Sequence, residues 1–137
     1  MTALLPRIEL ESAPNPTAAV IWLHGLGADG NDFAGLVPEL DLKGCPPIRF
    51  VFPHAPSIPI TINGGYVMPA WYDLFGLDLV SKQDDRGIQK SEWAIQALIA
   101  NEVARLAAAI LVDFAAAGRK IKDTRISPDA TTDRSEE

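Results

Sequence analysis

The 137-residue sequence predicts an α/β fold with a mainly parallel sheet flanked by helices. Three observations carry that expectation. The apolar run 18–23 holds β-branched residues between Pro and Gly, the pattern of a strand buried on both faces, and 48–52, stopped by Pro53, reads as a second buried strand. A Gly-rich loop leads from the first run toward a short helix. A long segment after Asp84-Asp85 repeats apolar residues at helical spacing.

Taken in order, Arg7-Ile-Glu-Leu-Glu alternates polar and apolar residues and reads as a half-buried edge strand. Ser12-Ala-Pro-Asn-Pro is a turn, and Ala18 to Leu23 is the first buried-type strand. A helix is expected over 32–40, with Asp32 as its N-cap. Ile48 to Phe52 is the second buried-type strand, stopped by Pro53. Residues 54–85 read as a long irregular excursion broken by Pro56, Pro59, Gly64-Gly65, Pro69 and Gly76, and such loops are often functional. Beyond it, Ile95, Ile99, Val103, Leu106, Ile110 and Phe114 are three or four residues apart, one helix face. Two readings compete for 106–117: a helix running to Ala117 with Gly118 as its C′ stop, or a strand at 110–114. Ala-rich composition favours the helix. Residues 1–118 therefore form the expected domain. Residues 119–137 carry five basic and five acidic side chains, with only Ile121 and Ile126 as large apolar groups, and are expected to be disordered.

Composition excludes several functions. The net charge of −6, from 12 basic and 18 acidic residues, argues against a nucleic-acid partner. The longest late apolar run, Leu106 to Val112, is far shorter than the roughly 20 residues of a spanning helix. The N-terminus lacks a signal-peptide layout, so a cytoplasmic protein is expected. One cysteine, Cys45, allows no internal disulfide or Cys-based zinc site, and two histidines without ligand spacing make no metal centre.

Gly25-Leu26-Gly27-Ala28-Asp29-Gly30 has the spacing of a dinucleotide-binding loop. That role wants an acidic residue about 20 positions on to hold a ribose. Residues 44–59 contain none, so a nucleotide cofactor is not expected. The same loop could instead aim a backbone N–H at the oxyanion of an acyl-transfer intermediate, often from an His-Gly motif. The loop alone leaves open a tight turn without chemistry.

The run His24-Gly25-Leu26-Gly27-Ala28-Asp29-Gly30-Asn31-Asp32-Phe33 closely resembles the oxyanion loop of the carboxylesterase and acyl-protein thioesterase family. Phe52-Pro53-His54-Ala55-Pro56, Met68-Pro69-Ala70-Trp71-Tyr72-Asp73, Gly87-Ile88 and the segment 99–105 are similar to further family motifs in register. The resemblance covers about residues 7–105. It implies a partial α/β-hydrolase fold, truncated before the nucleophile strand. It implies hydrolysis of small carboxylic esters or acyl thioesters without a cofactor. Leu26 N–H would be one oxyanion donor in a loop shaped by Gly25 and Gly27. Trp71, Leu74 and Phe75 would line the acyl channel, although by themselves they read as packing anchors.

The family also needs a Ser in G-x-S-x-G, an Asp and a late His. None of Ser12, Ser57, Ser81, Ser91, Ser127 and Ser135 lies in that motif. His24 matches the oxyanion-loop histidine, and His54 a structural one. Cys45, in the loop Gly44-Cys45-Pro46, lacks the helix N-terminus that activates catalytic thiols. The catalytic set is thus none, and this chain is expected to be inactive alone. The alternatives are a non-catalytic acyl-group-binding or interaction remnant, and a subunit that pairs with a separate C-terminal half. With the rest of the family sheet missing, Ile48 to Phe52 or its neighbour should stand at an open edge and invite self-association.

Overall fold

A computed structural model describes residues 3–78 and 80–117, with side chains through Ala107. The expected helix stop at Gly118 and the expected disordered tail, 119–137, lie outside the described residues.

A three-stranded sheet in the order β1-β3-β2 positions everything else. β3 (Ile48–Pro53) is central, and Phe50 to Pro53 are buried along with Arg49. β1 (Arg7–Glu11) runs antiparallel to it, pairing Ile8 with Phe52 and Leu10 with Phe50. β2 (Ala18–Ile21) runs parallel to it, pairing Val20 with Phe50 and Ile21 with Val51. The expected edge strand at 7–11 and buried strand at 48–52 are present, and of the two strands expected at an open edge it is the neighbour, β2, and not Ile48 to Phe52, that lies at the edge of the described sheet. The expectation for 18–23 needs correction: β2 is shorter and is itself an edge, with Val20 38% and Leu23 41% exposed. A continuous apolar run identifies a strand meant for the sheet interior, but only a strand on each side makes it interior.

Side chains alternate across the pleat, so the sheet has two distinct faces. On one, Trp22 lies between Phe33 and Phe52, at ring-centroid distances of 5.2 and 6.0 Å. Phe33 belongs to α1 (Asn31–Ala34), which is followed by a 3-10 turn at Val37–Glu39. This replaces the single helix expected over 32–40, because Gly35 and Pro38 interrupt it. Asp32 lies inside the helix, and it is Asp29 that accepts the Asn31 N–H, at 2.7 Å.

The other face carries α2 (Asp85–Ala117), which resolves the 106–117 ambiguity in favour of the helix. Asp84 caps it: its carboxylate accepts the Gly87 N–H at 3.0 Å and its carbonyl the Ile88 N–H at 3.0 Å. The stripe predicted from spacing is only partly the one that packs. Leu98, Glu102 and Leu106 face the sheet and are buried, whereas Ile99 and Val103 are exposed. Glu102 occupies the buried face because Arg49 of β3 meets it at 2.7 Å. Arg105 bridges Glu102 and Glu9 of β1, both at 2.8 Å, and Arg7 holds the second Glu9 oxygen at 2.9 Å. Partial burial raises the Glu9 pKa, but hydrogen bonds and charge from Arg105 and Arg7 outweigh it and hold the carboxyl below its ordinary value. These five side chains tie α2 to β1 and β3.

Residues 54–85 are less irregular than expected. β4 (Ser57–Ile60) and β5 (Tyr66–Pro69) form an antiparallel hairpin around a 3-10 turn at Thr61–Asn63, and Leu74 bridges Gln83. Pro59 and Pro69 concealed the strands in the sequence. A two-stranded ribbon tolerates proline because every strand in it is an edge.

Candidate functional site

The loop 24–30 leaves the C-terminal end of β2, where ligands of open α/β sheets bind. His24 holds it in place and is buried. Its Nε2 accepts the Ala55 N–H at 3.0 Å, so Nδ1 carries the proton of the neutral ring and donates to Gly25 O at 2.8 Å. The His24 carbonyl accepts the Trp71 indole N–H at 2.9 Å, and the two rings lie 5.2 Å apart. At the far end, the Gly30 N–H donates to His54 Nδ1 at 3.0 Å, which leaves His54 Nε2 as the protonated nitrogen of its neutral ring. A Cβ on Gly30 would collide with the Phe52 carbonyl oxygen, so only glycine lets the loop approach β3 this closely.

Between these anchors the N–H groups divide. Gly27, at φ 76°, donates to Pro69 O at 2.9 Å, and Ala28 donates to Gly25 O at 3.2 Å. The Leu26 N–H finds no acceptor among the described residues, and the residue is 47% exposed. The loop is therefore pinned by neighbours on both sides while one donor stays unused. That arrangement can serve a developing oxyanion at little reorganisation cost.

The aromatic segment beyond the hairpin is held separately. Asp73 accepts both the Thr61 N–H (2.8 Å) and its hydroxyl (2.5 Å), and these bonds keep the Asp73 carboxyl below its usual range. Asp84 accepts the Asp73 N–H at 2.8 Å, and Ser91 donates its hydroxyl to the Trp71 carbonyl. One carboxylate, Asp84, thus fixes both the start of α2 and the loop before it.

An apolar groove of about 470 Å³ opens beside Trp71. Leu23, Tyr72, Ile88, Ile95 and Ile99 form its apolar walls, and Ser91, Glu92 and Gln96 its polar part. Of the residues expected along an acyl channel, Trp71 borders this groove; Leu74 and Phe75 do not. Leu74 accepts the Ile62 N–H through its carbonyl, and Phe75 is exposed. Sequence reading missed Leu23, Ile88, Ile95 and Ile99 as groove residues. Ile95 and Ile99 read in the sequence as part of a core stripe, and Leu23 as part of a buried strand.

Neither histidine is placed to act as a base, since the unprotonated nitrogen of each already accepts a backbone N–H. Among the described residues no group of His, Cys, Asp and Glu could hold a metal ion. No helix among them is long and apolar enough to cross a membrane.

The Phospholipase/Carboxylesterase family model matches residues 6–125. The chain belongs to that family. The match extends past Arg105, where the quoted motifs end. Family relatives include acyl-protein thioesterase 1 of Debaryomyces hansenii, 37% identical over 110 residues, which span 75% of this chain and 47% of that protein. Acyl-protein thioesterase 1 of Schizosaccharomyces pombe is 38% identical over 104 residues, 76% of this chain and 46% of that protein. The crystal structure of Zea mays acyl-protein thioesterase 2 superposes with a TM-score of 0.62 at 28% identity, covering 70% of this chain and 40% of that one. Arabidopsis thaliana SOBER1 gives a TM-score of 0.59 at 28% identity, covering 64% and 42%. The family match and these α/β-hydrolase-like neighbours bear out the fold read from the motifs. The chain spans about half the length of the curated relatives it matches.

Proposed function

We propose that this chain is the oxyanion-loop half of a carboxylic ester or acyl thioester hydrolase, and that by itself it does not turn over substrate. The unused Leu26 N–H, flanked by N–H groups already engaged, is the observation that carries the first part. In this reading Gly25 and Gly27 shape the loop around that donor. Trp71 stands at the groove a small acyl group would enter, and Leu74 and Phe75 belong to the loop that follows it. No serine of the sequence lies in a G-x-S-x-G motif, and both histidines are engaged by backbone N–H groups through the nitrogen a base would need. One donor without a nucleophile stabilises an intermediate that never forms. Residues 1–118 make up the working part in this proposal, residues 119–137 are dispensable to it, and the chain acts in the cytoplasm.

The test is hydrolysis of an aryl ester together with labelling by an active-site-directed fluorophosphonate. In a serine protease, loss of the nucleophile costs about 10⁶-fold in turnover. The 137-residue chain should therefore show background hydrolysis and no stoichiometric label. Labelling of one serine, lost when that serine becomes alanine, would refute the second part of the proposal.

A second reading, a non-catalytic acyl-group-binding protein, is favoured by the apolar groove beside Trp71. Titration with a fatty-acyl ligand separates the two. Saturable binding that Ile95→Glu abolishes supports the binder.

A further inference from the structure

We propose that Trp71 is a positioning residue: together with the His24 ring it locks the peptide that carries the Leu26 N–H, and so fixes where that donor points. What the donor does there rests on the hydrolase reading; the lock itself does not.

Two peptide planes meet at Gly25, and no side chain restrains either. Gly25 is exposed, lies outside the left-handed region, and a Cβ built on it would meet no atom within 4 Å. A glycine in open space has wide freedom about both backbone torsions. Half a turn of the peptide between Gly25 and Leu26 would reverse the Leu26 N–H, with nothing at Gly25 to obstruct it. The direction of the donor must therefore come from hydrogen bonds.

Those bonds fall on the carbonyl side of each plane. Gly25 O accepts from His24 Nδ1 at 2.8 Å and from the Ala28 N–H at 3.2 Å. A trans peptide is planar, with its C=O and N–H pointing in opposite directions. Two donors on Gly25 O thus turn the Leu26 N–H away from His24 and Ala28, to where no described residue meets it. The preceding plane is held in the same way, because His24 O accepts the Trp71 indole N–H at 2.9 Å. Trp71 fixes the plane that leaves His24, and the His24 ring fixes the next one. The ring donates from Nδ1 because the Ala55 N–H occupies Nε2 at 3.0 Å.

Trp71 can hold a position because its own segment is tied to parts of the fold outside the loop. The Ala70 N–H donates to Pro56 O at 3.0 Å. Ser91 of α2 donates its hydroxyl to the Trp71 carbonyl, and the Asp84 carboxylate accepts the Asp73 N–H at 2.8 Å. One residue before Ala70, Pro69 O returns to the loop and accepts the Gly27 N–H at 2.9 Å. Packing asks only that a sheltered indole N–H find some acceptor. Here the acceptor is the carbonyl next to Gly25, where the loop has no other restraint on that plane. A donor fixed before charge develops needs no reorganisation when it does.

The experiment uses the full 137-residue chain, isotope-labelled for nuclear magnetic resonance. In the parent, scalar couplings across the hydrogen bonds are expected from Trp71 Nε1 to the His24 carbonyl carbon and from His24 Nδ1 to the Gly25 carbonyl carbon. The Leu26 amide should have a flat relaxation-dispersion profile. Trp71→Phe keeps an aromatic ring and removes the N–H. It should raise Gly25 and Leu26 amide relaxation roughly twofold at slow pulsing, through μs–ms exchange, while the Gly30 amide, anchored on His54, keeps its parent profile. Ser91→Ala, which frees the Trp71 carbonyl and leaves the indole, should give the same pattern at smaller amplitude. Absence of either coupling from the folded parent would overturn the proposal. So would a folded Trp71→Phe chain whose Leu26 amide stays flat, or one in which Gly25, Leu26 and Gly30 broaden together, since Trp71 would then be a packing anchor for the whole loop. Such failures leave the hydrolase reading standing, because the Leu26 N–H is present with or without the lock. Saturable fatty-acyl binding that Ile95→Glu abolishes would favour the binder over the hydrolase and leave the lock untouched.

Discussion

The two edges of the three-stranded sheet are built oppositely. β1 offers Arg7, Glu9 and Glu11 to its surroundings, and Pro6 precedes it. Two of its charges enter the ion network with Arg105, Arg49 and Glu102, so that the charged side of β1 is sealed by that network. β2 offers Ala-Ala-Val-Ile, with no charge at all, and α2 packs across it. Charged, proline-flanked edges are how sheets end; bare apolar edges are how they continue or aggregate. Among the described residues, β1 is an edge guarded by charge and β2 is an edge without that guard.

The largest effect expected at the sealed side comes from Glu102→Ala. Arg49 and Glu102 are 8% and 4% exposed, and removal of the carboxylate leaves a buried guanidinium whose Nε finds no hydrogen-bond partner among the described residues and whose remaining counter-charge, Glu9, lies 3.9 Å away. Breaking a buried pair from one side typically costs about 3–5 kcal/mol, which chemical denaturation would measure. A loss below 1 kcal/mol would show that α2 does not depend on the network.

Next comes Gly30→Ala, on the loop that β2 delivers. Its Cβ meets the Phe52 carbonyl and the His54 ring, and overpacking of this kind costs about 1–3 kcal/mol. The substitution should also release the loop, seen as loss of the slowed exchange of the Gly30 amide. Retained stability and retained protection would mean that the contact with β3 is looser than its geometry.

Acid gives a smaller, graded test of the sealed edge. Glu9 has its pKa held below the ordinary 4.5 by Arg105 and Arg7, against the opposing effect of partial burial. A depressed folded-state pKa stabilises the fold above the unfolded value, and that contribution is lost as pH falls through the folded one. Stability should therefore decline below about pH 4.5, with Glu9→Gln flattening that decline. An unchanged acid limb in the variant would assign the decline to other carboxylates.

How much of this could be read in the sequence follows from the same contrast. β1 and β3 were legible because their patterns, alternating and continuous, match the positions they occupy. β2 was legible as a strand but not as an edge. Its composition records a neighbour on each side, and the described fold supplies one. The hairpin was hidden by Pro59 and Pro69, which local rules read as breakers. Within the site, the glycines and His24 announced a pinned loop, and the structure shows each bond that pins it. The groove was invisible because Ile95 and Ile99 have the spacing of a core stripe. Which side of a helix the sheet covers was decided by Glu102 finding Arg49, a contact 53 residues apart in the chain that no local pattern encodes.

Hydrogen exchange resolved by residue along β2 tests the open edge most directly. In the chain alone, the amides of Ala18 and Trp22, which donate toward β3, should exchange slowly, and those of Ala19 and Ile21, which face away, quickly. A sawtooth of protection is expected. Uniform protection from Ala18 to Leu23 would contradict it, because the edge would then already be covered. Uniform rapid exchange would contradict it equally, since β2 would not be a strand of the sheet.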